Sequence, residues 1–126
     1  RRTHERLEAV TEEQMVTPTT WGGRTATARF GFYRLIAHEV EHTVHLAKAM
    51  QALGIAQSEA RLILKNLQAA RGELEGMLVG LTPEDLDRVP AEGEWSVREV
   101  VEHILKTEES YSRKIKEVLQ TAPAAG

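Results

Sequence analysis

Apolar residues recur every three or four positions along most of the chain, which is the spacing of one face of an α-helix. The clearest stripe lies in the third predicted helix and consists of Ala60, Ile63, Leu67, Ala70, Leu74, Met77 and Leu81. Its steps alternate between three and four residues, which is typical of a helix that packs along the seam of a bundle. Ser58 precedes the stripe and is expected to cap this helix.

The fourth predicted helix opens with a capping box. Ser96 and Glu99 stand three residues apart, so each side chain can bond the free backbone N–H of the other residue. The apolar stripe that follows consists of Val97, Val100, Ile104, Thr107, Tyr111, Ile115 and Val118. We expect this helix to end near Gln120, before Pro123.

Two further helices precede these. The second should run from about Thr27 to Leu53, where Gly54 can take the left-handed conformation that ends many helices. The first is weaker and is expected to end at Thr11 or Gln14. No stretch alternates apolar and polar residues over the length of a strand. The pattern therefore predicts an all-α fold, an antiparallel four-helix bundle.

Composition agrees with one domain and narrows its chemistry. The chain has 126 residues, of which 41% are hydrophobic and 28% charged, enough for a single domain over 1–126. A net charge of −3 provides no basic field for nucleic acid, so we expect no nucleic-acid partner. No apolar run could span a membrane and no signal peptide is visible, so we expect no membrane partner and a cytoplasmic location. Cysteine is absent, which leaves five histidines as the soft metal ligands.

Three of these histidines fall on apolar helix faces. His38 and His42 are four residues apart on the face of Leu35, so one metal ion can reach both imidazoles. His103 lies near the apolar stripe of the fourth helix. A single histidine in such a position is more often a hydrogen-bonded core residue, but three together favour a metal site. His45 lies at the edge of its face and is expected to be a boundary residue.

The remaining histidine and the large aromatic residues receive structural roles or none. His4 lies near a frayed end and is assigned no role. No basic cluster accompanies the large aromatic side chains, so we expect them to pack rather than to stack on bases. They are Trp21, Tyr33, Trp95 and Tyr111.

Two other interpretations remain open. Residues 38–42 read His-Glu-x-x-His, the pattern of zinc peptidases, in which Glu39 would be the base. This hypothesis ranks second, because such enzymes build part of their cleft from a sheet edge and the sequence predicts no strand. The other is a non-enzymatic dimerisation or partner-binding module whose histidines are polar core residues.

Two segments resemble one family. Residues 95–103, Trp-Ser-Val-Arg-Glu-Val-Val-Glu-His, with 81–86 before them, resemble the first metal-ligand helix of the DinB-like metalloenzyme superfamily. Residues 37–54, which contain His38 and His42, resemble the last helix of that superfamily. With their connecting helices, these segments cover most of the chain.

The resemblance implies a function and a set of site residues. His38, His42 and His103 would be a metal-binding triad that holds zinc, nickel or a similar divalent ion, with positions open to water or substrate. Glu39 is a candidate base or a partner of the ligands. Relatives include enzymes that use low-molecular-weight thiols such as mycothiol or bacillithiol. We therefore expect a metal-dependent thiol S-transferase or hydrolase that acts on a small molecule.

The order of the two halves is exchanged relative to that family. Residues 1–54 resemble the C-terminal half of a DinB-like unit, and residues 55–126 resemble the N-terminal half. Circular permutation, a fragment cut across tandem copies, or half-domains that assemble between chains would each explain the exchange. The chain begins with Arg1 rather than Met, so we expect a piece of something longer. A homodimer is the expected assembly.

Overall fold

The computed structural model describes residues 2–121 and divides the chain into two compact units, Arg1–Gly80 and Leu81–Gly126. The first unit contains α1 (Arg2–Leu7), α2 (Glu12–Met15), β1 (Pro18–Trp21), β2 (Arg24–Thr27), α3 (Ala28–Ala52) and α4 (Glu59–Met77). The second contains α5 (Pro83–Asp87) and α6 (Val97–Thr121). The described residues are 70% helical, which confirms the helical fold class. The four-helix bundle and the single domain over 1–126 remain predictions.

A β-hairpin precedes α3 and corrects the prediction that strands are absent. Strands β1 and β2 pair antiparallel, with Thr19 opposite Ala26, and are joined by Gly22 and Gly23. These glycines have φ of 58° and 79°, and a two-residue turn with positive φ at both positions matches the twist of a hairpin. The Gly-Gly pair was the signal in the sequence. The strands are too short for the alternation that the prediction required.

The start of the first unit also differs from the prediction of one weak helix. Helix α1 ends at Leu7, and Thr11 begins the short α2 instead of closing α1. The hydroxyl of Thr11 accepts from the Gln14 backbone N–H at 3.2 Å, and the Gln14 side chain accepts from the Thr11 N–H at 2.9 Å. This capping box gives the four-residue helix its start.

The ends of the two long helices of this unit follow local rules. Helix α3 ends just before Gly54, whose φ of 65° is the expected left-handed conformation. Ser58 caps α4 by accepting from the Arg61 N–H at 3.2 Å, as predicted. Helix α4 ends at Met77, so Leu81 lies outside the helix that was predicted to include it. Gly80, with φ of 79°, lies between them.

In the second unit, the predicted capping box of α6 is present. The Glu99 N–H donates to Ser96 Oγ and the Ser96 N–H donates to Glu99 Oε1, both at 3.2 Å. Ser96 is buried, with 4% of its surface exposed. Helix α6 extends through Thr121, the last described residue, close to the predicted end.

The short α5 was not predicted. Thr82 and Asp85 form its capping box, and Pro83 occupies the first turn, where its missing N–H costs nothing. The Thr82 backbone N–H donates to Asp85 Oδ2 at 3.0 Å, and the Asp85 backbone N–H donates to the Thr82 hydroxyl oxygen at 3.1 Å. Hydrogen bonding from the Thr82 backbone, with a smaller contribution from its side chain, lowers the pKa of the Asp85 carboxyl.

A charged pair joins α5 to α6. Arg98 Nε donates to Asp87 Oδ1 at 2.7 Å, and a second nitrogen lies 3.5 Å from Oδ2. The bond from Arg98 lowers the pKa of the Asp87 carboxyl, and the same bond raises the pKa of the Arg98 guanidinium. The pair holds the short helix against the first turn of the long one.

Most residues of the apolar stripes that were predicted to form a seam are exposed, whereas Leu74, Val97, Ile104 and Thr107 are half-buried. Among the described residues, no hydrophobic side chain is buried. Ile63 on α4 is 59% exposed and Ile115 on α6 is 60% exposed. The helices of each unit are thus formed by local hydrogen bonds and not by a packed core. Within residues 2–121, no helix has the combination of length and apolar character that crossing a membrane requires.

Removal of the Ser96 cap should loosen the start of α6. In Ser96→Ala, we expect a loss of about 1 kcal/mol of helix stability, because the Glu99 backbone N–H loses its partner, Ser96 Oγ. Amide hydrogen exchange of residues 97–100 should become several-fold faster. Ser112→Ala removes a hydroxyl from the middle of the same helix and should leave that first turn unchanged. Equal exchange rates in wild type and Ser96→Ala would contradict the role of the cap.

The bond from Arg98 should be visible in the titration of Asp87. Carboxyl carbon NMR should place the pKa of Asp87 below its ordinary value of 3.8, and Arg98→Gln should raise it again. The pKa of Asp87 is lower in the folded unit than its ordinary value. The ion pair therefore stabilises the position of α5 at pH values above that ordinary pKa. This stabilisation is lost as the pH falls through the lowered pKa of the folded unit. Arg88→Gln, which removes a cation near Asp85, is the control and should leave Asp87 unchanged.

Candidate metal centre

Two of the predicted ligands lie together on α3. His38 and His42 are one turn apart, and their ring centroids are 4.5 Å apart with an interplanar angle of 63°. Both side chains are exposed, whereas the sequence placed them on a buried face. The adjacency follows from helix geometry, since residues four apart lie above one another on the same face.

His45 also lies next to the His38–His42 pair, and the sequence did not predict its contact with His42. Its Nδ1 lies 3.4 Å from Nδ1 of His42, and the two ring centroids are 5.6 Å apart. The sequence placed His45 at the edge of the face. The spacing of three from His42 was the available signal, because residues three apart are also neighbours on a helix. Three histidine rings therefore follow one another along one side of α3.

His103 lies on α6, in the second unit. Its ring centroid is 4.9 Å from that of Trp95, at an interplanar angle of 54°. Trp95 thus packs against a predicted ligand, in agreement with its expected packing role. Within residues 2–121, no group of three or more His, Asp or Glu side chains is arranged to hold a metal ion. The joining of His103 to the pair on α3 stays a prediction.

A depression in the first unit, of about 510 Å³, has His38 in its wall. Apolar side chains make most of the remaining wall, and Arg34 adds a cation. The principal apolar members are Leu7, Trp21, Phe32 and Leu35. The guanidinium of Arg34 lies 3.4 Å from Glu41 Oε1. Concave, mostly apolar sites with a few polar groups are the usual form of small-molecule sites.

The wall of this depression depends on the hairpin. The rings of Trp21 and Phe30 meet edge to face, with centroids 6.0 Å apart and an interplanar angle of 80°. A Cβ on Gly31 would lie 3.4 Å from the Trp21 ring, which is van der Waals contact, so the ring lies against α3 at Gly31. The hairpin that the sequence analysis missed therefore brings Trp21 to the wall that contains His38.

Glu39 lines a different depression from His38. Its neighbours there are on α1 and α3 and include His4 and Ile36. The backbone oxygen of Glu39 accepts from the hydroxyl of Thr43 at 2.7 Å. The role of Glu39 as a base stays a prediction. The premise that the chain has no strand, which ranked the peptidase hypothesis second, was wrong, because β1 and β2 form a hairpin.

The donors on α3 fit a divalent metal of intermediate softness. Neutral imidazoles suit zinc, nickel and copper, and the absence of cysteine removes the softer thiolate ligands. The exposed rings of His38 and His42 leave room for water or substrate at the remaining positions of an ion. The pair supplies two protein ligands.

Residues 66–125 match the family model of the DinB superfamily. This segment contains the Ser96 capping box and His103, and the match confirms the predicted resemblance to that superfamily. The superfamily is generally metal-binding. His38 and His42 lie outside the matched residues. The exchanged order of the halves stays a prediction.

A curated relative extends the comparison. The chain is similar to the "Uncharacterized protein YuaE" of Bacillus subtilis (strain 168), with 39% identity over 54 residues. The aligned segment is 43% of this chain and 33% of that protein, so the chain spans about a third of the length of its relative. No solved structure matches the chain.

Proposed function

We propose that the chain is a metal-dependent DinB-like module in which His38, His42 and His103 bind one divalent ion, zinc or nickel. The observation that carries the proposal is the adjacency of the His38 and His42 rings, 4.5 Å apart on α3. The DinB superfamily match over the residues that contain His103 supports the third ligand. Imidazole ligands with open positions are typical of catalytic rather than structural sites.

The reaction that we propose is thiol transfer or hydrolysis on a small molecule. A bound ion of this kind lowers the pKa of a coordinated thiol or water, or polarises a carbonyl. The depression beside His38 would receive the apolar part of the substrate against Trp21 and Leu35. Arg34 lines the same depression and would hold a carboxylate of the substrate through its guanidinium.

The remaining parts of the proposal concern the surroundings of the reaction. A low-molecular-weight thiol is the proposed co-substrate, and the proposed location is the cytoplasm. No nucleic-acid or membrane partner belongs to the proposal, and Glu39 is its candidate base. In this role the Glu39 carboxylate would remove a proton from substrate or water. A Glu39→Gln variant would then lose the reaction while it retains the metal.

Trp95 offers a direct test of whether the three histidines share one ion. In a Trp21→Phe variant, Trp95 is the remaining tryptophan, and it contacts His103. We expect Ni²⁺ to quench its fluorescence, because a paramagnetic ion on His103 lies close to the ring. His42→Ala should abolish this quenching at low micromolar Ni²⁺, although His42 is in the other unit. Ni²⁺ quenching that survives His42→Ala would contradict the shared site.

The same variants test the reaction. Zinc-loaded protein should consume a small thiol in the presence of an electrophilic substrate, and His103→Ala should abolish that consumption. His4→Ala is a matched control, because His4 lies outside the predicted triad. Zinc binding by all three histidines without any thiol consumption or hydrolysis would retain the metal site and remove the enzymatic part.

The exposed apolar stripes favour a second candidate, a dimerisation module. Ile63 and Leu67 on α4 are 59% and 46% exposed. In a symmetric dimer, the α4 stripes of the two copies would pack against each other, so that both stripes would be buried. A homodimer is also compatible with the metal-dependent proposal, whereas a dimer that binds no metal favours the non-enzymatic module.

Light scattering of the eluting protein tests this assembly. We expect the mass of a dimer, twice 14.1 kDa, and a monomer in Ile63→Glu, because a carboxylate in the apolar stripe opposes its burial. Glu73→Lys alters charge on the same helix without entering the stripe and should stay dimeric. A wild-type monomer at high micromolar concentration would contradict the assembly. Measurements with zinc and with chelator show whether dimerisation needs the ion.

A further inference from the structure

His45 lies against His42 at a distance that needs an explanation. The two Nδ1 atoms are 3.4 Å apart, and the rings are tilted by 43°. An imidazole nitrogen without hydrogen carries a lone pair, so two such nitrogens that face each other repel. The contact is favourable only if one nitrogen carries a proton or if a cation lies between them.

The distance between the two Nδ1 atoms matches the arrangement in which a cation lies between them. Zinc binds histidine nitrogen at about 2.0–2.1 Å, so two nitrogens of a tetrahedral site are about 3.3–3.4 Å apart. The Nδ1 atoms of His42 and His45 already have this separation, and both belong to one continuous helix. An ion would therefore bind without a change in the backbone.

The surroundings allow an ion to approach. Both side chains are exposed, so water molecules can occupy the other positions of the ion. Neither ring is enclosed by another element, and the charged neighbours of His45 one turn away on α3 are of both signs, Glu41 before it and Lys48 after it. Two protein ligands with water completing the sphere also agree with the lack of any group of three suitable side chains within residues 2–121.

We propose that His42 and His45 chelate a divalent transition-metal ion through their Nδ1 atoms, at a site on α3 that does not need His103. The proposal goes beyond the triad, from which His45 is absent. The two sites share His42 but differ in their other ligands. Zinc, nickel and copper are the ions that this pair of imidazoles would take.

Calorimetric titration with Zn²⁺ separates the two sites. His103→Ala should still bind one ion, because both ligands of the chelate remain. His103→Ala/His45→Ala should bind it more than about tenfold more weakly, since even the loss of an outer partner of a ligand costs 10–100-fold. His103→Ala/His4→Ala is the matched control, with the same number of histidines removed, and should bind as His103→Ala does.

The outcomes are distinct. If His103→Ala binds no Zn²⁺, or if removal of His45 leaves its affinity unchanged, the chelate is wrong. Loss with His103→Ala and wild-type binding with His45→Ala would support the triad and overturn the chelate. Binding that depends on His45 and not on His103 would support the chelate and overturn the triad. Circular dichroism of each variant checks that α3 stays helical, as alanine favours.

Imidazole nitrogen NMR gives an independent readout of the atoms involved. On addition of Zn²⁺ to His103→Ala, the Nδ1 signals of His42 and His45 should move together to the range of metal-bound nitrogen. Movement of the Nε2 signals instead would overturn the assigned atoms. Unchanged signals for both residues would show that the 3.4 Å contact is an ordinary hydrogen bond between two rings.

Discussion

The hydrogen bonds at the helix ends determine where every candidate ligand lies. Ser58, Thr82 and Ser96 each accept a backbone N–H in the first turn of a helix, and Gly54 ends α3 with a positive φ. Between its two ends α3 has no break over 25 residues. The spacing of its histidines along the sequence is therefore converted into a fixed spacing along one side of the helix.

Packing between side chains that are far apart in the sequence contributes less to the described structure than the hydrogen bonds at the helix ends do. The apolar stripes of α4 and α6 have the spacing of a bundle seam, yet most of their residues are exposed. Helices of this kind gain most of their stability in proteins from burial of an apolar face. The stripes are thus the part of the molecule on which assembly can act.

The proposed triad takes His38 and His42 from α3 and His103 from α6. The rings of His38, His42 and His45 follow one another along α3, while His103 contacts Trp95 on the second unit. His42 is the member common to the triad and to the chelate. The two proposals differ in whether a bound ion would be held by residues of α3 alone or by residues of both α3 and α6.

The sequence alone predicted the features that depend on neighbours a few residues apart. The ends of α3, the Ser58 cap, the Ser96 capping box and the adjacency of His38 and His42 all arise from bonds or contacts within about one helical turn. The hairpin and α5 also have local signals in the sequence. Gly22 and Gly23 form the turn of the hairpin, and the Thr82 capping box begins α5, but neither signal was used to predict its element. The DinB resemblance came from residue patterns and the family match confirmed it.

Only the tertiary structure decided the rest. The approach of Trp21 to Gly31, the position of His38 in the wall of a depression and the contact of His103 with Trp95 depend on how separate elements meet. The contact of His42 with His45 depends on side-chain rotation, which spacing does not set. Periodicity shows that a helix has an apolar face, but it does not contain the long-range contacts that determine what covers that face.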